Sequence, residues 1–180
     1  MQYLCENIQG CVLGYTQSDE ITLILQDYKT LTTSAWFDYE IQKICSISAS
    51  MATMAFNKFF NNNVSEWCSQ NKLSYISVFT TNVSEFYESI WDEAIEDWNA
   101  SEEEVKYFQT LLNARRKGAM FDARCFNIPK EEVTNLIFWR QLDAARNSVQ
   151  MVGQAYFSHK ELQNKSCSDI QDMLMEKYNI

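Results

Sequence analysis

The sequence predicts a small α+β domain: an antiparallel sheet with helices on one face. Three observations predict it. Residues 11–25 alternate apolar and polar positions on either side of a polar tip, the period of two expected of a hairpin. From about Ala35 to Phe60, Phe37, Ile41, Ile44, Ile47, Met51, Met54 and Ala55 recur at three- and four-residue steps, the period of a helix. A second helical pattern, Phe138, Leu142, Ala145 and Val149, comes after another short alternating run at Ala119–Phe126. Strand–strand–helix–insert–strand–helix is the order of a layered α+β fold.

Each element has its own signals. In the hairpin, Val12, Leu13 and Tyr15 precede the tip Gln17-Ser18-Asp19-Glu20, and Ile21, Leu23 and Leu25 come after it. The first helix carries Ser46, Ser48, Ala49, Ser50 and Ala52, small enough for close packing on a sheet, and Asn61-Asn62-Asn63 is its expected end. Trp67–Thr81 has no decisive period, and Tyr75–Thr80 suits a strand. Tyr87–Lys117 reads as one or two helices closed by Gly118, a residue suited to a C-terminal cap. Pro129 suits the first turn of the next helix, where Glu131 and Glu132 meet the positive end of its dipole. Ser168-Asp169-Ile170-Gln171 has the pattern of a capping box opening a last helix to Tyr178. The whole chain, 1–180, is expected to form one domain with a helical, acidic insert at about 64–117.

Composition narrows the function classes. With 180 residues and 46% hydrophobic content the chain can bury a core. Its apolar runs are too short to span a bilayer and its first residues lack a secretory pattern, so neither a membrane nor a secreted role is expected. The six cysteines are dispersed without a CxxC pair, which argues against zinc and for reduced thiols in a cytoplasmic setting. The net charge of −9 is concentrated: nine acidic residues and no Lys or Arg lie between Glu85 and Glu104, and the remainder is balanced. That stretch is a solvated face and a poor place to dock nucleic acid.

Chemically, the hairpin tip is the sharpest feature. Adjacent carboxylates at a strand–turn junction can hold a hard cation through oxygen, and cations bridging phosphates assist phosphoryl and nucleotidyl transfer. Asp and Glu also serve turns by local hydrogen bonding, so the spacing alone leaves both readings open. The surrounding residues add a family likeness. Gly14-Tyr15-Thr16-Gln17-Ser18-Asp19-Glu20-Ile21 resembles the second metal motif of the tRNA-histidine guanylyltransferase superfamily, polymerases that add nucleotides in the 3′-to-5′ direction. Trp36-Phe37, Lys43 and Ser46–Ser50 resemble that family's triphosphate-binding helix. Phe121-Asp122-Ala123-Arg124-Cys125-Phe126-Asn127 resembles its Phe-Asp-x-Arg strand, and Trp139-Arg140-Gln141-x-Asp143 its Trp-Arg-Gln-x-Asp helix. Gly153-Gln154-Ala155-x-Phe157-Ser158-His159-Lys160 and Asn164-Lys165-Ser166 are similar to the segment after it. The likeness spans about Gly10 to Met175 and is weakest over Val64–Lys117.

The resemblance implies a palm-type, ferredoxin-like sheet and a nucleotidyltransferase that adds GTP or another NTP to the 5′ end of tRNA. In the family, ATP activates the 5′-monophosphate as an adenylylate, and the 3′-hydroxyl of the incoming nucleotide displaces AMP with the help of two Mg²⁺ ions. Carried onto this sequence, Asp19 is a catalytic metal ligand and Glu20 its supporting neighbour. Ser18 shapes the nucleotide site, Lys43 contacts the triphosphate as a point charge, and Ser50 lies nearby. Asp122 and Arg124 tie the sheet to the site. Arg140, Arg146, Asn147, His159 and Lys160 are candidates for RNA contact. Partners would be tRNA, nucleoside triphosphates and further copies of the chain, as a tetramer.

The departures from the pattern carry expectations too. The family's first metal aspartate belongs to an Arg-x-Asp-Gly-x-x-Phe-His-like strand and loop before the position of Met1, and nothing here matches it. The sheet is therefore expected to be incomplete at its N-terminal side, and the 180-residue chain alone to have little activity. Asp38, Tyr39 and Glu40 stand where eukaryotic members have an Arg pair, and Ala144–Val149 replaces the His-Ile-Asn-Asn-Leu-Tyr run. The latter replacement resembles the bacterial, archaeal and phage-type branch, which favours template-dependent repair of 5′-truncated tRNA. The alternative reading is a truncated, catalytically weak module that binds nucleotide or RNA, or serves assembly. A nucleotide cyclase is disfavoured because the Gly-Gly turn of that class is replaced by Gln17-Ser18-Asp19-Glu20.

Overall fold

The computed structural model describes residues 1–71 and 101–180. The fold class is α+β, as the sequence predicts: the described residues form one two-stranded antiparallel sheet and several helices. They group into two compact units. The first contains Met1, Gly10–Gln26 and Phe126–Ile180; the second contains Gln2–Gln9 and Asp27–Cys125.

In the first unit, β1 (Cys11–Gln17) pairs with β2 (Glu20–Leu25), with Gln17 opposite Glu20 and Tyr15 opposite Thr22. This is the expected hairpin, with its turn at Ser18-Asp19. Its open end is closed by the Gln26 N–H donating to the Gly10 carbonyl at 2.8 Å. Gly10 has φ +78°, and a Cβ there would stand 3.0 Å from the Gln26 carbonyl oxygen, so glycine is required by both conformation and space.

The rest of this unit is helical. A 3₁₀ turn at Lys130–Glu132, capped by Pro129, leads into α4 (Val133–Tyr156). A short helix, α5 (His159–Leu162), precedes the last helix, α6 (Cys167–Tyr178). Phe157, Ile170 and Leu174 form their buried core, with Val149, Val152, Leu162 and Met173 packed around it. Ser166 opens α6, not Ser168: its hydroxyl accepts from the Asp169 N–H, while its own N–H donates to the Asp169 carboxylate at 2.8 Å. Ser168 could have paired only with the neutral amide of Gln171, and the ionised acceptor makes the stronger bond.

In the second unit, α1 (Gln2–Asn7) buries Leu4, and Tyr3 meets the edge of Phe59 on α2 (Ile41–Gln70). The sequence reading of α2 needs correction at both ends: it starts at Ile41 and runs straight through Asn61-Asn62-Asn63. Each Asn costs about 0.5–0.7 kcal/mol of helix propensity, roughly 2 kcal/mol for three. Beyond them, Val64 and Cys68 are buried against Phe108 of α3 (Glu102–Lys117), with Phe60, Trp67, Leu111 and Leu112 around them. Burying a large apolar side chain is worth about 1.5–3 kcal/mol each, so the packing outweighs the propensity. α3 has a capping box at Ser101 and Glu104, acids in its first turn, bases in its last, and ends at Gly118 with φ +67°. The expected strand at Tyr75–Thr80 and the first part of the expected helix from Tyr87 lie outside the described residues.

Ala119–Phe126 is not a strand. Its residues do alternate, Phe121, Ala123 and Cys125 half-buried and Met120, Asp122 and Arg124 exposed, but the backbone of Ala119 and Phe121 is partnered by side chains of α2. The Ala119 N–H donates to Asn57 Oδ1 at 2.8 Å, Asn57 Nδ2 donates to the Ala119 carbonyl at 2.8 Å, and the Phe121 N–H donates to Thr53 Oγ1 at 3.1 Å.

Two outcomes test this account. A Cβ at Gly153 would stand 2.7 Å from Cγ2 of Ile170, which is 3% exposed and has little room to retreat. Overpacking of typically 1–3 kcal/mol then opposes a helix-propensity gain of about 1 kcal/mol. Gly153→Ala should lower stability by roughly 1 kcal/mol in denaturant unfolding, and Ile170→Leu, which removes the β-branch, should recover part of it. Hydrogen bonds from the Ser101 backbone, the Ser158 hydroxyl and the Ser166 backbone hold Glu104, Glu161 and Asp169 below the ordinary carboxylate range. Their contribution is fully present above that range and lost as pH falls through the folded-state values. Stability should drop on acidification, and the Glu104→Gln/Glu161→Gln/Asp169→Asn variant should show a shallower drop in Tm between neutral and acid pH.

Candidate functional site

The hairpin tip is built by dividing the labour of two adjacent carboxylates. Glu20 forms an ion pair with Arg140 of α4. The Arg140 side chain is 11% exposed and Glu20 is half exposed. On its other side the Arg140 guanidinium lies 5.0 Å from the Trp139 ring centroid. A buried guanidinium demands an acceptor, because an unpaired buried charge is among the costliest defects a fold can carry. Glu20 is further tied to β1: Gln17 Nε2 donates to its carboxylate at 3.4 Å, and the Tyr15 hydroxyl donates to Gln17 Oε1 at 3.0 Å. Thr16 Oγ1 donates to the Glu20 carbonyl at 3.0 Å.

Asp19 is left exposed at the turn. Ser18, also exposed, takes φ +48°, a left-handed conformation that a residue with a Cβ adopts at a cost, so the tip holds a strained turn in place. The structure thus gives the two sequence-selected carboxylates different positions. Asp19 faces solvent, and Glu20 is turned to Arg140.

The sequence makes Arg140 a candidate RNA contact, and the structure places its side chain inside the unit. Arg140 is buried and paired within its own unit, so its charge is committed to the fold. Arg146 and Asn147 lie nearly two turns further along α4. Arg146 pairs with Asp143 at 2.6 Å, and Asn147 donates to the same carboxylate at 3.4 Å, both remaining exposed. His159 and Lys160 are exposed in the single turn of α5. Asp122 and Arg124 are exposed and pair with one another at 3.5 Å.

In the second unit, Lys43, Ser46 and Ser50 are exposed on α2. Lys43 and Ser50 are seven residues apart, nearly two turns, and share a face. Both serines donate back to their own helix, Ser46 to the Lys43 carbonyl at 3.2 Å and Ser50 to the Ser46 carbonyl at 2.8 Å. The Lys43 ammonium lies 4.5 Å from the ring centroid of Phe37. Phe37 is aimed there by an unusual backbone: Phe37, Asp38 and Tyr39 have φ of 52°, 51° and 63° in succession. Each such residue costs of order 1 kcal/mol, and the Tyr39 hydroxyl braces the run by donating to the Asp27 carboxylate. That bond pushes the Tyr39 hydroxyl's pKa up. Sequence reading picked out Phe37 only as part of a motif and missed the backbone that aims it, because no local pattern announces a left-handed run of three non-glycine residues.

Among the described residues no three His, Cys, Asp or Glu side chains come together to hold a cation, and of the two carboxylates at the tip one already serves Arg140.

The asymmetric burial of the ion pair gives a test. Glu20→Gln leaves a buried guanidinium short of its anion, while Arg140→Met leaves a half-exposed carboxylate that water can solvate. Glu20→Gln should be the more destabilising, by up to about 3 kcal/mol, the low end for orphaning a buried charge. Urea unfolding of both variants measures the difference.

The comparisons with known proteins bear on these geometries. The family model described as "Thg1: tRNAHis guanylyltransferase" matches residues 1–129. A solved structure described as a bacterial tRNA(HIS) guanylyltransferase (Thg1)-like protein in complex with ATP is similar over 99% of this chain and 57% of its own, at 35% identity and a TM-score of 0.63. One described as the same kind of protein in complex with GTP is similar over 99% and 53%, at 30% identity and a TM-score of 0.54. "Uncharacterized protein R259" of Acanthamoeba polyphaga mimivirus is 26% identical over 181 residues, which is 95% of this chain and 50% of that protein. The chain spans about half the length of the relatives it matches. With its hairpin, its α2 lysine and its Trp-Arg-Gln helix all falling within that likeness, the chain belongs to the tRNAHis guanylyltransferase (Thg1) family.

Proposed function

We propose that this chain is a nucleotidyltransferase that adds GTP or another NTP to the 5′ end of tRNA. One observation carries the reading: the run Gly14–Ile21 folds as a hairpin that leaves Asp19 exposed at its tip while Glu20 is held by Arg140. Likeness to proteins whose structures contain ATP and GTP supports it.

In this reading Asp19 offers a carboxylate oxygen to the Mg²⁺ that accompanies a triphosphate, and Ser18 shapes the turn beside it. Lys43 meets triphosphate as a point charge, steadied by Phe37 beneath it, and Ser50 continues that face of α2. Glu20 acts through Arg140 as a positioning residue. Arg146, Asn147, His159 and Lys160, all exposed, are the RNA-facing candidates that remain once Arg140 is committed to the fold. The setting is cytoplasmic and the working form a homo-oligomer, a tetramer by family likeness. No helix among the described residues is long and apolar enough to cross a membrane.

The second reading, a catalytically weak nucleotide-binding or assembly module, is favoured by the single uncommitted carboxylate at the tip. Calorimetry with Mg²⁺-GTP and Mg²⁺-ATP addresses both. Binding should be measurable and should weaken about tenfold or more, about 1.4 kcal/mol, in Asp19→Ala and in Lys43→Ala. Unchanged affinity in both variants would remove the nucleotide reading and leave assembly. An NTP-dependent 5′-addition assay on tRNA separates the two readings: turnover supports the nucleotidyltransferase, and nucleotide binding without turnover supports the weak module.

A further inference from the structure

We infer that Cys45 and Cys125 form a thiol pair that closes to an intrachain disulfide on exposure to a small-molecule disulfide such as oxidised glutathione. The inference is independent of the nucleotide reading and rests on how the segment after α3 lies along α2.

The register of that segment is set by two anchors. Ala119 is bonded to Asn57 and Phe121 to Thr53. Two residues of extended chain thus match four residues of helix, in antiparallel sense. The steps agree physically: two extended residues advance about 6.6 Å and four helical residues about 6.0 Å. Continuing the register pairs Ala123 with Ala49 and Cys125 with Cys45. In that register the intervening positions are Ala123 and Ala49, both small enough to let the segment lie close to the helix. The half-buried alternation of Phe121, Ala123 and Cys125 puts Cys125 in phase with Phe121, whose ring meets Phe56 of α2 at 5.5 Å between centroids.

The separation suits the bond. The Phe121 N–H donates to Thr53 Oγ1 at 3.1 Å. Adding the fixed covalent reach on each side leaves the two Cα atoms at most about 7 Å apart. Disulfides span Cα–Cα distances of about 4.4–6.8 Å, so the two cysteines come within reach of one another where the segment keeps this height along the helix as far as Cys125. Consistent with this, burial pushes the Cys125 thiol's pKa up and nearby Cys45 adds to the rise. Both cysteines are free thiols and neither is fully enclosed, so a small reagent can reach them.

The chemistry is thiol–disulfide exchange. The thiolate of one cysteine attacks a sulfur of oxidised glutathione, forming a mixed disulfide and releasing one glutathione thiolate. The thiolate of the other cysteine then attacks the protein sulfur of that mixed disulfide, and the second glutathione leaves. Two protons and two electrons pass from the protein pair to two glutathione thiols.

Tryptic mapping of the whole chain after oxidation reads the outcome directly, because cleavage at Lys43, Lys58, Arg124 and Lys130 places Cys45 in residues 44–58 and Cys125 in residues 125–130, one cysteine each. Under non-reducing conditions the expected product is these two peptides joined, two hydrogens lighter than their sum, and separated again by dithiothreitol. Oxidised protein should unfold at a higher Tm than reduced protein, and Cys45→Ser should lose both the joined peptide and the Tm shift, with Cys125 carrying glutathione instead. If Cys125 carried only glutathione or a different cysteine in the unaltered chain, or if neither thiol were consumed, the pairing would be overturned.

Discussion

A single buried guanidinium organises the hairpin unit. Arg140 is the one charged side chain among the described residues that is buried, and the fold must bring it an anion. Glu20 supplies it from the first position of β2, and through Gln17 and Tyr15 the same carboxylate is tied back to β1. Consequently the tip cannot slide by one residue. A slip would exchange Asp19 for Glu20 at the guanidinium and reverse the face of every side chain in the hairpin. What looks in the sequence like a matched pair of acids is therefore two different devices, one internal and structural, the other presented to solvent.

The second unit is organised by side chains of one helix face. Asn57 and Thr53 on α2 stand where a neighbouring strand would stand in a sheet, giving backbone groups of the segment after Gly118 their partners. Further toward the start of α2 the helix carries Lys43, whose ammonium is seated over Phe37 by a left-handed run of three residues. Toward its end it carries the surface that buries Phe108. A helix of 30 residues serving three purposes explains why its local propensities are mixed: small and β-branched residues in its first half, then Phe56, Phe59 and Phe60, then three asparagines, then Val64, Trp67 and Cys68. Tertiary burial, not intrinsic preference, keeps it continuous.

The family membership agrees with this construction without replacing it. The likeness to tRNAHis guanylyltransferases runs over the hairpin, α2 and the segment after α3, the elements whose geometry has a chemical rationale here. Asp19 and Lys43 belong to different compact units, each held in place by its own local network: the Arg140 pair for one, the Phe37 turn for the other.

Much of this could be read from the residues alone. The hairpin and its tip, the helix closed by Gly118, the long helix after Pro129 and the α+β class come from hydrophobic period and turn chemistry, which act within a few residues of one another and leave a local trace. Asp19 and Lys43 were legible as candidates because a family motif is itself a local string. Other features depended on contacts between residues far apart in the chain, and no window of sequence contains both partners. Arg140 turned inward because Glu20, 120 positions earlier, was there to receive it. Ala119–Cys125 alternates like a strand yet pairs with no strand among the described residues, and Asn57 and Thr53 supply partners for the backbone of Ala119 and Phe121 instead. The asparagine run did not stop α2, because Val64 and Cys68 beyond it found Phe108 to pack against. Local pattern determines which element a segment can form. Satisfaction of buried charge, backbone polarity and apolar surface across the chain determines where it ends and which side chains are left free to act.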